Sequence, residues 1–590
     1  MNPIETTWNL EALKPNNFED ELRLIKISAD NLAKKWKKNK SYLKDNNILL
    51  EALEEFEEYG SVWGGGGKLA YYCWLKLSLD QTSPENRAQN NLVEQVLIEN
   101  ANKLRFFDHQ LMKLPLKQQR VFLESKNLSH YHYYLQKLFS LAKYELSEKE
   151  ENILALKDKT ARDNWETLTA SLLSKEKVGG KTFEELLTAL KDQDKVKRDA
   201  AAVDFNGVLE KYSDVAEMEL NSILADKKVD DTLRKISRPD TIRHLSDDIE
   251  TEVVDRMLDS VTARNTIAHE YYRLKADLLG LPKLAYHERS VTYGSIDREY
   301  SFKDGVAVVA STFSKLDSHF WEITSHFIEH GQIDVYPKVG KHGGAFCAHL
   351  NISLPTFILL NWTNSFRDVT TLAHELGHGI NNEIMRQKQS SIYWRSPMST
   401  AEVASTFFED FTVDTLAEEV DDETKLSIMM ARLDDSVATI WRQVACYRFE
   451  QSLHSKIASE GYLSKDRIGK LFQASMSSYM GEAVEQSPGS ENWWIYWSHI
   501  RNYFYVYSYS SGLLISKAMQ NAVRKDHGFI EKVNYFLGAG ASESPKTLFK
   551  TMGIDITSED FWDQGMDEVA AMITEAKKLA YKLGKIKKAI

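Results

Sequence analysis

Apolar residues with helix-period spacing dominate this chain. Apolar side chains that recur every three or four residues form one face of a helix and leave a charged face toward water. The chain has only 11 prolines in 590 residues, so the pattern continues through long segments with few breaks. Four segments show it best: 18–59, 84–127, 146–175 and 213–236. The pattern predicts a mainly α-helical protein.

Signals for β structure are short and local. Two strands are predicted over 349–354 and 356–361, on either side of Pro355. A strand with a free edge there would pair with an extended peptide through main-chain hydrogen bonds, whereas an internal hairpin would leave no free edge. Gly179 and Gly180 predict a short turn or hairpin.

Composition limits the class of partner. Hydrophobic residues make up 43% of the chain and charged residues 27%, which is ordinary for a globular protein. The formal net charge of −12 argues against nucleic acid and anionic membranes as partners. No run approaches the roughly 18 apolar residues of a membrane span.

Cysteine usage and the N-terminus bear on the compartment. Cys73, Cys347 and Cys446 are few, odd in number and widely spaced, so a disulfide framework is not expected. The first residues, MNPIETTWNL, lack a basic start and an apolar core, and therefore do not resemble a signal peptide. We expect a cytoplasmic protein. The sequence does not indicate an oligomeric state.

The most informative motif is His374-Glu375-Leu376-Gly377-His378. On a helix, residues four apart lie on one face, so both imidazoles can bind one ion at the ~2.0–2.1 Å typical of zinc. Glu375 then lies beside the metal as a candidate general base. Ser365, with Asp368 three residues later, is predicted to begin the helix. The alternative is an ordinary surface helix.

Catalytic zinc usually takes a third protein ligand. We expect Ser399 to begin a second helix, with Glu402 in its first turn as the third ligand. Ser399 and Glu402 also fit a capping box, in which the carboxylate would only accept the N-cap N–H. Glu409 lies two turns beyond Glu402 and would orient a ligating imidazole. Solvated charge is the alternative for Glu409.

These residues, taken together with others along the chain, resemble the M3 zinc peptidases, specifically the oligoendopeptidase F branch. The resemblance includes HELGH, AEVASTFFED, the opening Trp8-Asn9-Leu10 and the tyrosine-rich segment from His499 to Tyr509. It extends over most of the chain. A four-glycine run, Gly64–Gly67, departs from the family pattern.

The resemblance implies a mainly α, two-lobed, zincin-like metallopeptidase with a deep substrate channel and a small β-sheet near the active site. One Zn²⁺ per chain would lie at the channel floor, and short unstructured peptides would be the substrates. Because 590 residues exceed what one core usually serves, we expect a helical N-terminal lobe over 1–198 and a catalytic domain over 199–590.

The expected reaction is metal-assisted hydrolysis of internal peptide bonds, with Glu375 as the base. The family places His and Tyr from the tyrosine-rich segment beside the oxyanion, and here we favour His499, Tyr503 and Tyr507. If the segment is helical, Tyr503 and Tyr507 share a face, and Tyr505 and Tyr509 do not share that face. An aromatic core stripe is the alternative for each tyrosine.

Three other functions remain open. A helical zinc carboxypeptidase would carry the same motif but would need a cationic pocket for the C-terminal carboxylate. A peptide-binding protein could keep the scaffold without turnover. A structural zinc site would usually have four ligands and no spare glutamate. A His/His/Glu site would also accept cobalt or manganese.

Overall fold

Helices form most of the computed structural model, which describes residues 4–587. The predicted helical segments in the first part of the chain are confirmed, but each is divided into shorter helices. These are α1 (Phe18–Lys38), α2 (Asn46–Trp63), α3 (Gly67–Leu79), α4 (Pro84–Leu104), α5 (Phe106–Met112), α6 (Leu116–Leu123), α7 (His132–Leu141), α8 (Glu148–Asp158) and α9 (Asn164–Lys175).

The middle of the chain continues with helices that form one body with the last third. They are α10 (Phe183–Ala189), α11 (Lys195–Lys211), α12 (Ser213–Leu233), α13 (Thr241–Ser246), α14 (Thr251–Ala263), α15 (Asn265–Leu278), α16 (Phe302–Leu316) and α17 (Ser318–Glu329). The last third comprises α18 (Phe366–Lys388), α19 (Val403–Glu418), α20 (Asp422–Val437), α21 (Gln443–Glu460), α22 (Lys465–Met480), α23 (Tyr507–Lys525), α24 (Ile530–Ala539), α25 (Pro545–Thr551) and α26 (Glu559–Lys582). The mainly α prediction is confirmed.

The strands are short and form three small sheets. They are β1 (Lys177–Val178), β2 (Lys181–Thr182), β3 (Leu284–Ala285), β4 (Ile333–Asp334), β5 (Phe346–Ala348), β6 (Phe357–Leu359) and β7 (Val484–Glu485). β1 and β2 form the hairpin predicted at Gly179 and Gly180, both of which have positive φ. β3 pairs with β7 in parallel, and the third sheet has the order β4-β6-β5.

The predicted strand over 349–354 is wrong. The strand lies just before it, at Phe346–Ala348, and Asn351 then makes a turn in which its side chain accepts the N–H of Ser353. Such an Asx turn competes with strand pairing. The second predicted strand is confirmed over Phe357–Leu359, and it pairs with β5 antiparallel and with β4 in parallel. β5 is therefore an edge strand.

The four-glycine run links α2 to α3. Gly65, Gly66 and Gly67 have positive φ, a region that favours glycine. A Cβ at Gly67 would lie 2.5 Å from the carbonyl oxygen of Val62. The run is therefore a tight turn that only glycine fits. Its first carbonyl accepts a hydrogen bond from Asn351 beside β5.

Apolar packing joins the N-terminal helices to the rest of the molecule. One core lies around Trp36, Phe107 and Leu135, and a much larger one extends from Leu173 to Ala580. A third cluster places Trp8 and Tyr71 against β5 and β6; the Trp8 indole N–H donates to the carbonyl of Ile358 and the Tyr71 hydroxyl to that of Ala348. The boundary between 198 and 199 stays a prediction. None of the described helices is long and apolar enough to span a membrane.

Candidate metal centre and the cavity around it

α18 carries the histidine motif, and its start follows the predicted signal. Ser365 accepts the N–H of Asp368, and the Asp368 carboxylate accepts the N–H of Ser365, which is a complete capping box. The helix then continues without a break through His374 and His378, so the two imidazoles lie one turn apart on one face.

Gly377, inside the motif, lets a second helix approach. A Cβ there would lie 2.8 Å from the Cα of Ser405 and 3.0 Å from the carbonyl oxygen of Ala404, both on α19. Real Cβ atoms essentially never come closer than 3.0 Å, so glycine is required for this contact. The close crossing brings the start of α19, and with it Glu402, up to the histidines.

The three predicted ligands lie together. The Nε2 atoms of His374 and His378 are 3.4 and 3.5 Å from the same carboxylate oxygen of Glu402. Metal–ligand bonds of about 2.0–2.1 Å in a tetrahedron place ligand atoms about 3.3–3.4 Å apart, so this donor set fits zinc. The two imidazoles hold the pKa of Glu402 well below its ordinary value, although burial alone would raise it.

The local structure at Glu402 differs from the prediction. Residues Met398–Thr400 form a short 3₁₀ turn, and α19 starts at Val403, so Ser399 does not cap that helix and Glu402 precedes its first turn. The Ser399 hydroxyl donates to the carbonyl of Asp247. The Glu402 carboxylate accepts from the Ser405 hydroxyl at 2.9 Å. This arrangement is not a capping box.

Glu409 lies behind one ligand. Its carboxylate is 2.9 Å from Nδ1 of His374 and accepts that N–H, so the ring presents Nε2 to Glu402. Burial lowers the pKa of His374, but the hydrogen bonds that the ring donates to Glu402 and Glu409 outweigh burial and raise the pKa well above its ordinary value, which favours a proton at Nε2. A metal ion at Nε2 would replace that proton.

Glu375 faces the same cavity. It is only 7% exposed, and burial raises the pKa of its carboxyl. The cavity has a volume of about 450 Å³ and is lined by residues from β5, α18 and the loop before α19: Ala345, Phe346, Cys347, His349, His374, Glu375, His378, Asn381, Asn382, Arg395, Ser396, Ala401 and Glu402. The edge strand, the acid and the metal ligands thus share one space.

The tyrosine-rich segment does not follow the helical register that we considered. Tyr503 and Phe504 have φ of 45° and 58°, and α23 starts only at Tyr507. Tyr503 and Tyr507 therefore do not share a helix face. The Tyr507 hydroxyl is buried and donates to Asp247 at 2.9 Å, and the Tyr503 hydroxyl donates to the carbonyl of Ile223 at 2.9 Å.

A different set of rings gathers around His499. The centroids of Tyr505 and Tyr509 lie 5.4 and 5.9 Å from that of His499, and 5.8 Å from each other. The Tyr505 hydroxyl and Nδ1 of His499 share a hydrogen bond. Burial lowers the pKa of His499, which favours the neutral ring. None of the three is among the residues that line the cavity.

Arg395 lines the cavity but is not among the residues predicted from the sequence. It lies in the loop between the histidine helix and Glu402. A cationic side chain between two metal-binding elements is the only sequence signal that could have identified it.

Comparisons with known proteins agree with the geometry. The model of peptidase family M3 matches residues 304–568, and a model described as oligopeptidase F matches residues 110–175. An oligoendopeptidase F homolog of Lactococcus lactis subsp. lactis is 23% identical over 98% of this chain and 97% of its own length. The crystal structure of a Chlamydophila abortus protein has a TM-score of 0.82 at 20% identity, over 96% of this chain and 98% of that one. The crystal structure of oligoendopeptidase-F from Enterococcus faecium has a TM-score of 0.69 at 18% identity, over 96% of this chain and all of that one.

Proposed function

Because the chain belongs to peptidase family M3, we propose that it hydrolyses internal bonds of short, unstructured oligopeptides with zinc as its metal and Glu375 as general base. The family matches and the relatives that align over nearly the whole chain identify a metalloendopeptidase acting on oligopeptides. The convergence of His374, His378, Glu402 and Glu375 on one cavity supports the finer assignment.

His374, His378 and Glu402 would hold the ion, and Glu409 would keep the His374 ring in the required orientation and tautomer. A bound zinc ion supplies a Lewis acid that polarises a water and the scissile carbonyl. The chain offers three ligands and a cavity beside them, which is typical of a catalytic site; structural zinc sites usually have four protein ligands.

Glu375 is placed for proton transfer. It neighbours His374 in sequence but is not one of the three residues that could jointly hold the ion. As general base it would take a proton from the attacking water and deliver it to the nitrogen of the leaving amine. Burial raises its pKa, which favours the protonated form needed for the second transfer.

As donors to the oxyanion, we propose His499, Tyr505 and Tyr509 in place of His499, Tyr503 and Tyr507, the set predicted from the sequence. The hydroxyls of Tyr503 and Tyr507 already donate to protein oxygens, and Tyr507 is buried. His499 and Tyr505 form a hydrogen-bonded pair on a half-buried surface. Since these residues lie outside the cavity lining, the proposal requires the segment to approach the cavity when substrate binds.

β5 would hold the peptide. It is an edge strand, and Phe346 and Cys347 on it line the cavity with Glu375. Main-chain pairing along such an edge is independent of side-chain identity, which suits broad specificity toward oligopeptides. We also propose a reducing compartment such as the cytoplasm, because Cys73, Cys347 and Cys446 are all free thiols.

The test is hydrolysis of an internally quenched, end-blocked peptide of about ten residues, with mass spectrometry of the products. We expect internal cleavage that a chelator stops and zinc restores. Glu375→Gln should lower kcat/KM by about 10²–10⁴-fold, the usual contribution of a general base, and keep one equivalent of metal. Glu418→Gln, an exposed change on α19, is the control.

The alternatives predict other outcomes. A carboxypeptidase would spare the blocked peptide and cleave its free-acid form from the end. A peptide-binding protein would bind one zinc and cleave neither form. Loss of metal in Glu375→Gln would show that Glu375 is a ligand and contradict its assignment as the base.

A further inference from the structure

Within residues 4–587, Arg395 is the one lysine or arginine that lines the cavity. It shares that lining with His374, Glu375, His378 and Glu402. Its side chain is exposed, and no carboxylate of residues 4–587 forms an ion pair with its guanidinium. An arginine beside two acids and without an ion-pair partner is available to a ligand.

The backbone on both sides of Arg395 is anchored. The Trp394 indole N–H donates to the carbonyl of Asn382 at 3.2 Å, and the Ser396 hydroxyl donates to Asn381 at 3.1 Å. Both asparagines are on α18, one turn beyond His378. The Cα of Arg395 is therefore fixed relative to the metal ligands, although its side chain is free to turn.

A second cation lies near Arg395 outside the cavity lining, and it already has an acidic partner. Lys137 on α7 is close enough to Arg395 for the two charges to affect each other, and burial together with Arg395 lowers the pKa of Lys137. Lys137 pairs with Asp248 at 3.1 Å. Lys137 therefore has an ion-pair partner and Arg395 has none among residues 4–587, in a protein whose net charge is −12.

We propose that Arg395 binds a carboxylate of the peptide substrate and so fixes how the peptide lies across the metal site. This inference rests on the proposed function. A guanidinium offers a planar pair of N–H donors that matches a carboxylate, and such charge-assisted pairs are stronger than neutral hydrogen bonds. Arg395 is the cationic residue in a lining whose carboxylates are Glu375 and Glu402.

The carboxylate has two possible sources, the C-terminus of the peptide and an acidic side chain. A C-terminal carboxylate held by Arg395 would make the distance from the peptide end to the cleaved bond constant. An acidic side chain held there would instead give a sequence preference within longer peptides. The shared chemistry is a single carboxylate a few residues from the cleaved bond.

The experiment uses sets of four quenched peptides of about eight residues. In each set the C-terminus is a free acid or an amide, and one position on the C-terminal side of the cleaved bond is Glu or Gln. Successive sets move that position along the peptide. We expect the wild-type protein to lose about tenfold in kcat/KM, mainly through KM, when the recognised carboxylate is removed. Arg395→Gln should abolish that difference. If the recognised carboxylate is a side chain, Arg395→Glu should favour an additional peptide that carries Lys at the same position.

Arg367→Gln is the matched control. Arg367 is an exposed arginine on α18, the helix of His374, and it does not line the cavity. It removes the same charge near the site, and we expect it to keep the wild-type preference.

The outcomes separate the two proposals. No cleavage of any peptide by wild-type protein contradicts the proposed function itself. Cleavage with equal kcat/KM for all four peptides along the series, or an equal preference in wild type and Arg395→Gln, contradicts the role of Arg395 and leaves the peptidase assignment intact. A loss on amidation identifies the C-terminus, and a loss on Glu to Gln identifies a side chain.

Discussion

The candidate metal centre and the tyrosine-rich segment differ in how their backbone positions the functional side chains. His374, His378 and Glu409 follow helix periodicity, and Gly377 lets the two helices cross. The segment from His499 to Tyr509 begins outside any α-helix and turns through two residues with positive φ. Sequence spacing therefore predicts the arrangement of the two histidines correctly and that of the tyrosines wrongly.

The difference lies in what determines side-chain direction. On α18, each imidazole direction is set by the 3.6-residue repeat, so a motif of five letters is enough. In the tyrosine-rich segment, contacts with other parts of the fold determine the side-chain directions. Arg501 donates to Glu219 in a buried ion pair and to the carbonyls of Ile495 and Trp497, and Glu450 accepts the N–H of Phe504. Glu219 and Glu450 are far away in sequence, so these contacts have no local signature.

The largest expected effect comes from removing a ligand from the regular part of the site. Glu402→Ala should lower metal affinity by about 10²–10³-fold, because structural zinc with four ligands is worth about 10–16 kcal/mol, or roughly 2.5–4 kcal/mol per ligand. Activity should fall with metal occupancy. Competition with a metal chelator, followed by elemental analysis, measures the affinity.

Glu409→Gln sharpens this prediction. The Glu409 carboxylate contacts Nδ1 of His374, whereas Nε2 faces Glu402. A smaller loss of about 10–100-fold in metal affinity is therefore expected for Glu409→Gln. Equal losses for the two variants, or one equivalent of tightly bound metal in Glu402→Ala, would contradict the ligand assignment.

The second prediction concerns the irregular part. Tyr505→Phe should lower kcat by about 10²-fold with little change in KM, the lower range for loss of one oxyanion donor. Tyr507→Phe is the control; it has the same chemistry two residues away, but its hydroxyl donates to Asp247 inside the protein. It should cost about 1 kcal/mol of stability and leave kcat nearly unchanged.

The reverse result would also be informative. If Tyr507→Phe lowers kcat and Tyr505→Phe does not, the sequence prediction that Tyr503 and Tyr507 act from one helix face would describe the active conformation. The segment would then have to change its backbone at Tyr503 and Phe504 and release the Tyr507 hydroxyl from Asp247 when substrate binds.

The same contrast shows how far the sequence alone could lead. The four helical segments, the capping box at Ser365 and the shared helix face of His374 and His378 were predictable, because each depends on spacing within a helix. The strand register around Asn351 and the start of α19 were not, because a side-chain turn and a 3₁₀ turn shifted each by a few residues. The exposure of Arg395 to the cavity depends on the fold as a whole.

The last expected effect is on stability and not on activity: a pH dependence of unfolding from Glu450, which contacts the tyrosine-rich segment. Glu450 on α21 is 1% exposed; one carboxyl oxygen accepts the N–H of Phe504 at 2.7 Å, and the other has no partner among the described residues. Burial raises its pKa from 4.5 to about 8. Between these values the folded protein binds more protons at this residue than the unfolded chain does.

The free energy of unfolding should therefore fall as the pH rises from about 5 to 8, with a contribution from Glu450 of at most about 1.4 kcal/mol per pH unit. Glu450→Gln keeps an acceptor for the N–H of Phe504 and cannot ionise, so it should be the more stable protein at pH 8 and lose its advantage near pH 5. Thermal unfolding of the chelator-treated protein at each pH removes any contribution from metal release.

Glu460→Gln, an exposed change at the end of the same helix, should leave the slope unchanged, since surface ion pairs contribute little. A wild-type slope that persists in Glu450→Gln would show that the segment is held in place independently of the protonation of Glu450.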